Sequence, residues 1–252
     1  MCDVSVIVPV FNAESFISES LRGLHSFLST TALSFEIIAV DDGSTDGTGR
    51  VIKSLSLTNF SLLELSANQG KFGAISAGMV RAKGRCRVFT DCDLPYDLRA
   101  IPYMVTLLNE RGFHLVIGDR SLPESDSSIE ARPLRSMTSW LFSNVVRLAV
   151  TGEVYDSQCG LKGFRSDVAA ALFPLLRDRG FSGDVELLYI SLKYNLAIRR
   201  IPVRLVNAAP SSVRVLRHGM IMLGRIFALR GSWKKGCYES PELRSLSRQK
   251  YY

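Results

Sequence analysis

No run of about eighteen apolar residues occurs in the 252-residue chain, so the pattern offers no helix able to span a bilayer. The N-terminus lacks the basic and apolar stretches of a signal peptide, which leads us to expect a cytoplasmic protein. The five cysteines (Cys2, Cys86, Cys92, Cys159, Cys237) form no C-x-x-C pair, so neither a zinc site nor a disulfide framework is indicated. Histidine is scarce, and His25, His114 and His218 fall in separate segments without a neighbouring carboxylate, as packing or surface residues would. Linkers, repeats and low-complexity tracts are absent, in keeping with one domain. Acidic residues are nearly missing from the last quarter. Residues 193–252 hold thirteen Lys or Arg against Glu239 and Glu242, so that stretch carries +11 while the remainder carries −4. Such a footprint fits an anionic partner, a membrane surface or a lipid phosphate. Nucleic acid is the weaker reading and is not expected as a partner, because no helix-turn-helix, RNA-recognition or zinc motif accompanies the charge.

What is present is an alternation. Val4 to Val10 is a β-branched run, followed by Phe11-Asn12-Ala13-Glu14 and then Phe16, Ile17, Leu21 and Leu24 at helical spacing. Phe35 to Val40 is a second run, ending in Asp41-Asp42-Gly43-Ser44, with Ser44 or Asp46 placed to cap a helix through Leu55. A third run, Ser61 to Leu65, leads through Asn68-Gln69-Gly70-Lys71 into a small-residue helix, Ala74 to Ala82. Arg87 to Thr90 delivers Asp91, and Phe113 to Gly118 ends at Asp119-Arg120. Strands alternating with helices predict an α/β fold with a mostly parallel sheet, whose carboxyl-end loops converge on one crevice. Pro9 to Asn12, Asp42, Lys71 and Asp91 all fall on such loops. Asp91 and Asp93 are two apart at the end of a strand, where alternate side chains point the same way, so both can face one hard cation. Cys92, between them, then points to the core.

These segments, P-V-F-N at 9–12 and V-D-D-G-S-T-D-G-T at 40–48, resemble the family 2 inverting glycosyltransferases of the GT-A (Rossmann-like nucleotide-diphospho-sugar transferase) fold. Asp156-Ser157-Gln158-Cys159-Gly160-Leu161-Lys162 and Asp184-Val185-Glu186-Leu187-Leu188 narrow the resemblance to the dolichyl-phosphate glucose and mannose synthases. It covers residues 4 to 236, predicting one GT-A domain over 1–236 and a basic tail over 237–252. Two positions depart from the mannose synthases. Pro95 stands where they carry Gln, and Ala13 where they carry Glu, which favours the glucose-synthase-like or a bacterial-type subgroup.

The resemblance implies transfer of a hexose from UDP-glucose or GDP-mannose to a polyprenyl phosphate, with Mg²⁺ or Mn²⁺ held by Asp91 and Asp93. It places Pro9, Phe11, Asn12, Asp42, Lys71, Cys92, Gln158 and Arg214 at the nucleotide sugar, with Asp42 on the base and Asp156 and Gln158 beside the sugar. From the residues alone, Asp42 also reads as a turn acid. Arg120, Arg135 and Ser139 match the acceptor-phosphate positions, and Arg132 competes with Arg135. Asp184 and Glu186 interrupt an apolar segment and need partners, with an ion pair to Arg or Lys the expectation for Glu186. A phosphate acceptor is already an anion and needs positive charge, not a base. An enzyme using a sugar hydroxyl would instead need a carboxylate base such as Asp156, and a non-catalytic nucleotide-sugar-binding scaffold would have no use for intact Asp91, Asp93, Arg120 and Arg135. Within 211–236, Gly219 to Leu229 with Trp233, Lys234 and Lys235 reads either as a membrane-interfacial helix or as a helix covering the core. Peripheral binding on the cytosolic face of a membrane, directly or through an anchoring partner protein, is expected.

Overall fold

The computed structural model describes residues 2–125, 156, 158–180, 182–207 and 228–248. The described strands are β1 (Val4–Val10), β2 (Phe35–Asp41), β3 (Phe60–Glu64), β4 (Cys86–Phe89), β5 (Leu115–Asp119), β6 (Lys162–Arg165) and β7 (Ile198–Pro202). They form a single sheet in the order β3-β2-β1-β4-β6-β5-β7. Six run one way, and β6 pairs antiparallel with both β4 and β5. The α/β, mostly parallel architecture expected from the sequence is therefore present.

Side-chain alternation along β1 explains the layering. Val4, Val6, Val8 and Val10 enter one hydrophobic cluster, while Ile7 enters the other, on the opposite face. The first face is covered by α1 (Ile17–Ser29), α2 (Thr48–Lys53) and α4 (Ala100–Glu110). The second is covered by α3 (Lys71–Arg81), α5 (Ser166–Leu172), α6 (Gly183–Lys193) and α7 (Pro241–Arg248). With helices on both faces, β1 is fully buried and reads as a continuous apolar run. Pro9 is tolerated in this central strand because β4 ends at Phe89, opposite Ile7, leaving no ladder partner for the missing N–H.

Two differences from the expected boundaries matter. Helix α3 starts at Lys71, not Ala74, because Gly70 adopts φ 85° and the Arg179 carbonyl accepts the N–H groups of Phe72 (2.9 Å) and Gly73 (3.2 Å). Residues 238–248 are not a solvated tail. Tyr238, Leu243 and Leu246 are buried, and the Tyr238 hydroxyl donates to Glu186 Oε1 at 2.6 Å. Glu186 Oε2 also accepts the backbone N–H groups of Arg177 (2.9 Å) and Asp178 (2.7 Å). Backbone amides and a phenol thus satisfy this acid where the sequence led us to expect Arg or Lys. Residues 228–234 are helical, and Trp233 packs on the rings of Tyr189, Tyr194 and Tyr238. The preceding part of the expected interfacial segment, 211–227, lies outside the described residues.

Gly78 lets α3 approach the sheet closely, since a Cβ there would lie 2.5 Å from Ile7 Cγ2 and 3.0 Å from Val40 Cγ2. Gly23, exposed on α1, would meet nothing within 4 Å. Gly23→Ala should therefore stabilise the protein by about 0.5–1 kcal/mol through helix propensity. Gly78→Ala should destabilise it by about 1–3 kcal/mol despite the same propensity gain, because the core must move. Urea denaturation of the two variants checks this; equal shifts would contradict the packing.

Candidate active site

The carboxyl ends of the parallel strands carry the polar loops, and the antiparallel β6 starts at the same edge, with Lys162 opposite Phe89 and Ile117. The loops after β1 and β2 are laced together. Asn12, at φ 50°, accepts the Thr45 N–H on Oδ1 (2.9 Å), and its own N–H donates to Ser44 Oγ (3.0 Å). Asp42 is buried and accepts the N–H groups of Gln69 (2.7 Å) and Gly70 (2.9 Å), one on each oxygen. Burial pushes its carboxyl above the usual range, against those two amides. Asp42 thus fastens the loop that leads to Lys71, as a turn acid does. Each oxygen keeps a second lone pair. Pro9 is buried in β1, whereas Phe11 is exposed at the rim.

Asp91 and Asp93 are not on a strand. β4 ends at Phe89, and Asp91 to Leu94 form a turn in which the Leu94 N–H donates to the Asp91 carbonyl (3.1 Å) and Leu94 has φ 45°. The strand pleat that was expected to point the two acids the same way is therefore absent at 91–93. Burial, then the neighbouring Asp91 charge, raises the Asp93 carboxyl above its usual range. Cys92 is partly buried against the core cluster, and burial with the flanking carboxylates pushes its thiol up to about 12.

Lys71 Nζ lies 2.6 Å from Asp91 Oδ1. Burial disfavours its charge, but Asp91 and Asp184 outweigh that and hold the ammonium above its ordinary pKa. Behind it, Lys162 is completely buried, donating to Asp184 Oδ1 (2.5 Å) and the Cys159 carbonyl (2.6 Å). Lys162, grouped by sequence with Asp156 and Gln158, is therefore a framework residue. A Cβ on the adjoining Gly160 would sit 1.9 Å from Asp91 Oδ2, so a larger residue there would displace the Asp91 carboxylate.

The third group joins residues that sequence reasoning assigned to different substrates. The Arg120 guanidinium grips Asp156 in a fork, Nε to Oδ2 at 2.6 Å and Nη2 to Oδ1 at 2.8 Å. Burial opposes ionisation of Asp156, but Arg120 outweighs it and holds the carboxyl below its usual range. Asp119, which the sequence analysis passed over, organises this corner. Fully buried, it accepts Ser121 N–H and Oγ on Oδ1 and Arg200 Nε (2.7 Å) on Oδ2. Its position at the carboxyl end of β5 was the available signal. Gln158 is exposed in a turn beside this group. Arg132, Arg135, Ser139 and Arg214 lie outside the described residues. His114 is buried, its Nδ1 accepting the Ala197 N–H (2.8 Å), and His25 is on the surface, bonded to Thr58.

The donor set at Asp91 and Asp93 fits a hard divalent ion that brings other ligands with it. Among the described residues no group of three His, Cys, Asp or Glu side chains is arranged to hold a metal. Magnesium-type ions are commonly held by one or two carboxylates with phosphate oxygens and waters completing the shell. Two adjacent acids, one with its pKa raised, gain from such an ion.

The glycosyl transferase family 2 profile matches residues 5–173. The dolichyl-phosphate beta-glucosyltransferase of Dictyostelium discoideum is 28% identical over 249 residues, covering 92% of this chain and 76% of that protein. The enzyme of the same description from Drosophila melanogaster is 32% identical over 216 residues, covering 80% and 66%. The same fold occurs in glucosyl-3-phosphoglycerate synthase from Mycobacterium tuberculosis, solved with Mn²⁺, UDP and glucosyl-3-phosphoglycerate. That structure is 20% identical, covers 92% of this chain and 79% of its own, and gives a TM-score of 0.63. The profile spans the loops that carry Asn12, Asp42, Asp91, Asp93 and Arg120, and the sheet has the GT-A arrangement: the chain belongs to glycosyl transferase family 2.

Proposed function

We propose that this protein transfers a hexose from a nucleotide sugar, UDP-glucose or GDP-mannose, to a polyprenyl phosphate, inverting the anomeric configuration. The observation that carries this reading is the Arg120–Asp156 fork. Asp156, one carboxylate able to serve a hydroxyl acceptor as base, is clamped and its pKa lowered, which makes it a poor base. A phosphate monoester, with a second pKa near ~6, is already a nucleophilic anion at neutral pH and asks only for positive charge to bind it. Arg120 supplies that charge, and its planar fork suits two phosphate oxygens as well as a carboxylate. The names of the similar proteins from Dictyostelium and Drosophila agree with such an acceptor.

In this reading Asp91 and Asp93 hold Mg²⁺ or Mn²⁺, which when bound neutralises the charge of the departing diphosphate. Lys71 adds a second positive charge on the same side. Asn12 and Asp42 fix the loops around the nucleotide, Phe11 and Pro9 flank it, and Arg214 closes over the diphosphate. Cys92 contributes its place in the turn, not its thiol. Gln158 contacts the sugar. Asp156 stays paired with Arg120 and accepts from a sugar hydroxyl, the remaining N–H donors of Arg120 face the acceptor phosphate, and Arg135, Ser139 and Arg132 complete the acceptor site. No helix among the described residues is long and apolar enough to cross a membrane. Peripheral binding at the cytosolic face, through the basic last quarter, belongs to the same proposal.

Incubation with labelled UDP-glucose or GDP-mannose, divalent metal and polyprenyl phosphate should place label in the lipid fraction with one donor. Label that enters only hydroxyl-bearing sugars would overturn the acceptor assignment. Asp93→Ala should lower turnover by about a hundredfold or more, and chelation by EDTA should do the same; full activity in EDTA contradicts the metal role. Arg120→Ala should raise the KM for polyprenyl phosphate roughly ten- to a hundredfold, the value of a charge-assisted phosphate contact. Calorimetric affinity for the nucleotide sugar should barely change, and Arg120→Lys should recover only part of the loss.

A further inference from the structure

Lys71 occupies an unusual place. It is the first residue of α3, where the helix dipole disfavours a cation, and its ammonium reaches into the polar edge to Asp91 Oδ1 at 2.6 Å with little of the side chain exposed. Gly160 lies against the other Asp91 oxygen, where a Cβ would come within 1.9 Å. Asp184, the other acid that acts on Lys71, is already held at 2.5 Å by the buried Lys162. The acids Asp91, Asp93 and Asp184 with the two lysines therefore carry a net charge of −1, and one of the two metal-site carboxylates has its cation in place.

We infer that Lys71 is a tethered cation that competes with a divalent ion for Asp91, so that the metal binds well only together with the nucleotide diphosphate. This inference rests on the reading of Asp91 and Asp93 as the metal ligands. A bare divalent ion meets a resident positive charge and must displace it from Asp91. A diphosphate changes the balance, because its oxygens complete the ion's shell and give the displaced ammonium a new anionic partner. Lysine suits the role, being a point charge on a flexible four-carbon stem that can swing between the two anions. Each ligand then raises the affinity of the other by the same factor, typically about 5- to 150-fold for such couplings. Ion and nucleotide would enter as one unit, and the edge would not accumulate metal between turnovers.

The test is direct titration of Mn²⁺, followed by the electron paramagnetic resonance signal of the free ion, into the full chain with no nucleotide, with UDP and with GDP. Wild-type protein should bind Mn²⁺ weakly alone and about tenfold or more tightly with one of the two nucleotides. Lys71→Met should bind Mn²⁺ alone about tenfold more tightly than wild type, with the nucleotide effect reduced. Lys71→Arg, which keeps the charge and controls for folding, should still bind the bare ion weakly. Unchanged or weaker Mn²⁺ binding in Lys71→Met, or bare-ion binding by Lys71→Arg as tight as in Lys71→Met, overturns the inference alone. Mn²⁺ binding that survives Asp91→Asn unchanged, or its absence from wild type with either nucleotide, overturns the metal reading and this inference with it.

Discussion

Lys162 has no exposed surface, and its ammonium is held by Asp184 at 2.5 Å and by the Cys159 carbonyl at 2.6 Å. Taking both charges out of water is costly, and breaking such a pair by removing one partner costs about 3–5 kcal/mol. The pair therefore fixes three things at once. Strand β6, α6 and the Cys159-Gly160 segment are locked together at the sheet edge, and Gly160 in turn presses on Asp91. The remaining acidic and basic groups of the edge, Lys71 with Asp91 and Arg120 with Asp156, are arranged around this fixed centre.

A second consequence of burial is the near-complete pairing of polar groups beneath the site. Asp42, Asp119 and Glu186 are each buried, and each is satisfied by backbone N–H groups together with, for the latter two, a side-chain donor. These acids hold loops: Asp42 the one before α3, Asp119 the one after β5, and Glu186 the one at 177–178. The exposed groups at this edge are Gln158, Phe11 and the outer part of Arg120. A rigid layer of satisfied acids under an adaptable layer of arginine, lysine and carboxylate is the division of labour that a group-transfer site needs.

The strands β1, β2, β3 and β5 were legible because β-branched and apolar runs of five to seven residues are bounded by turn residues. Strand β6 was not, since Lys162-Gly163-Phe164-Arg165 is short, shows no alternation and is held as a strand by neighbours on both sides. The identities of Asp91 and Asp93 were legible and their geometry was not, because the sequence pattern cannot tell the last residues of a strand from the first of a turn. Glu186 was expected to find a cation, whereas Tyr238, distant in sequence, reaches it only once residues 238–248 fold back. Residues 237–252 read as a basic tail for the same reason: α7 buries just Leu243 and Leu246, a signal too sparse against so much charge.

What the sequence determined by itself was the alternation of strands and helices, and with it the edge on which Asn12, Asp42, Lys71 and Asp91 must gather, because a parallel sheet places every carboxyl-end loop on one side. Which charged groups face one another was decided only by the tertiary structure. Arg120 and Asp156 lie 36 residues apart, and Lys71 and Asp91 meet across different crossovers. Charge pairing depends on distances of a few ångströms between side chains, whereas strand and helix periodicity depends on near neighbours along the chain, and only the latter is written in local sequence.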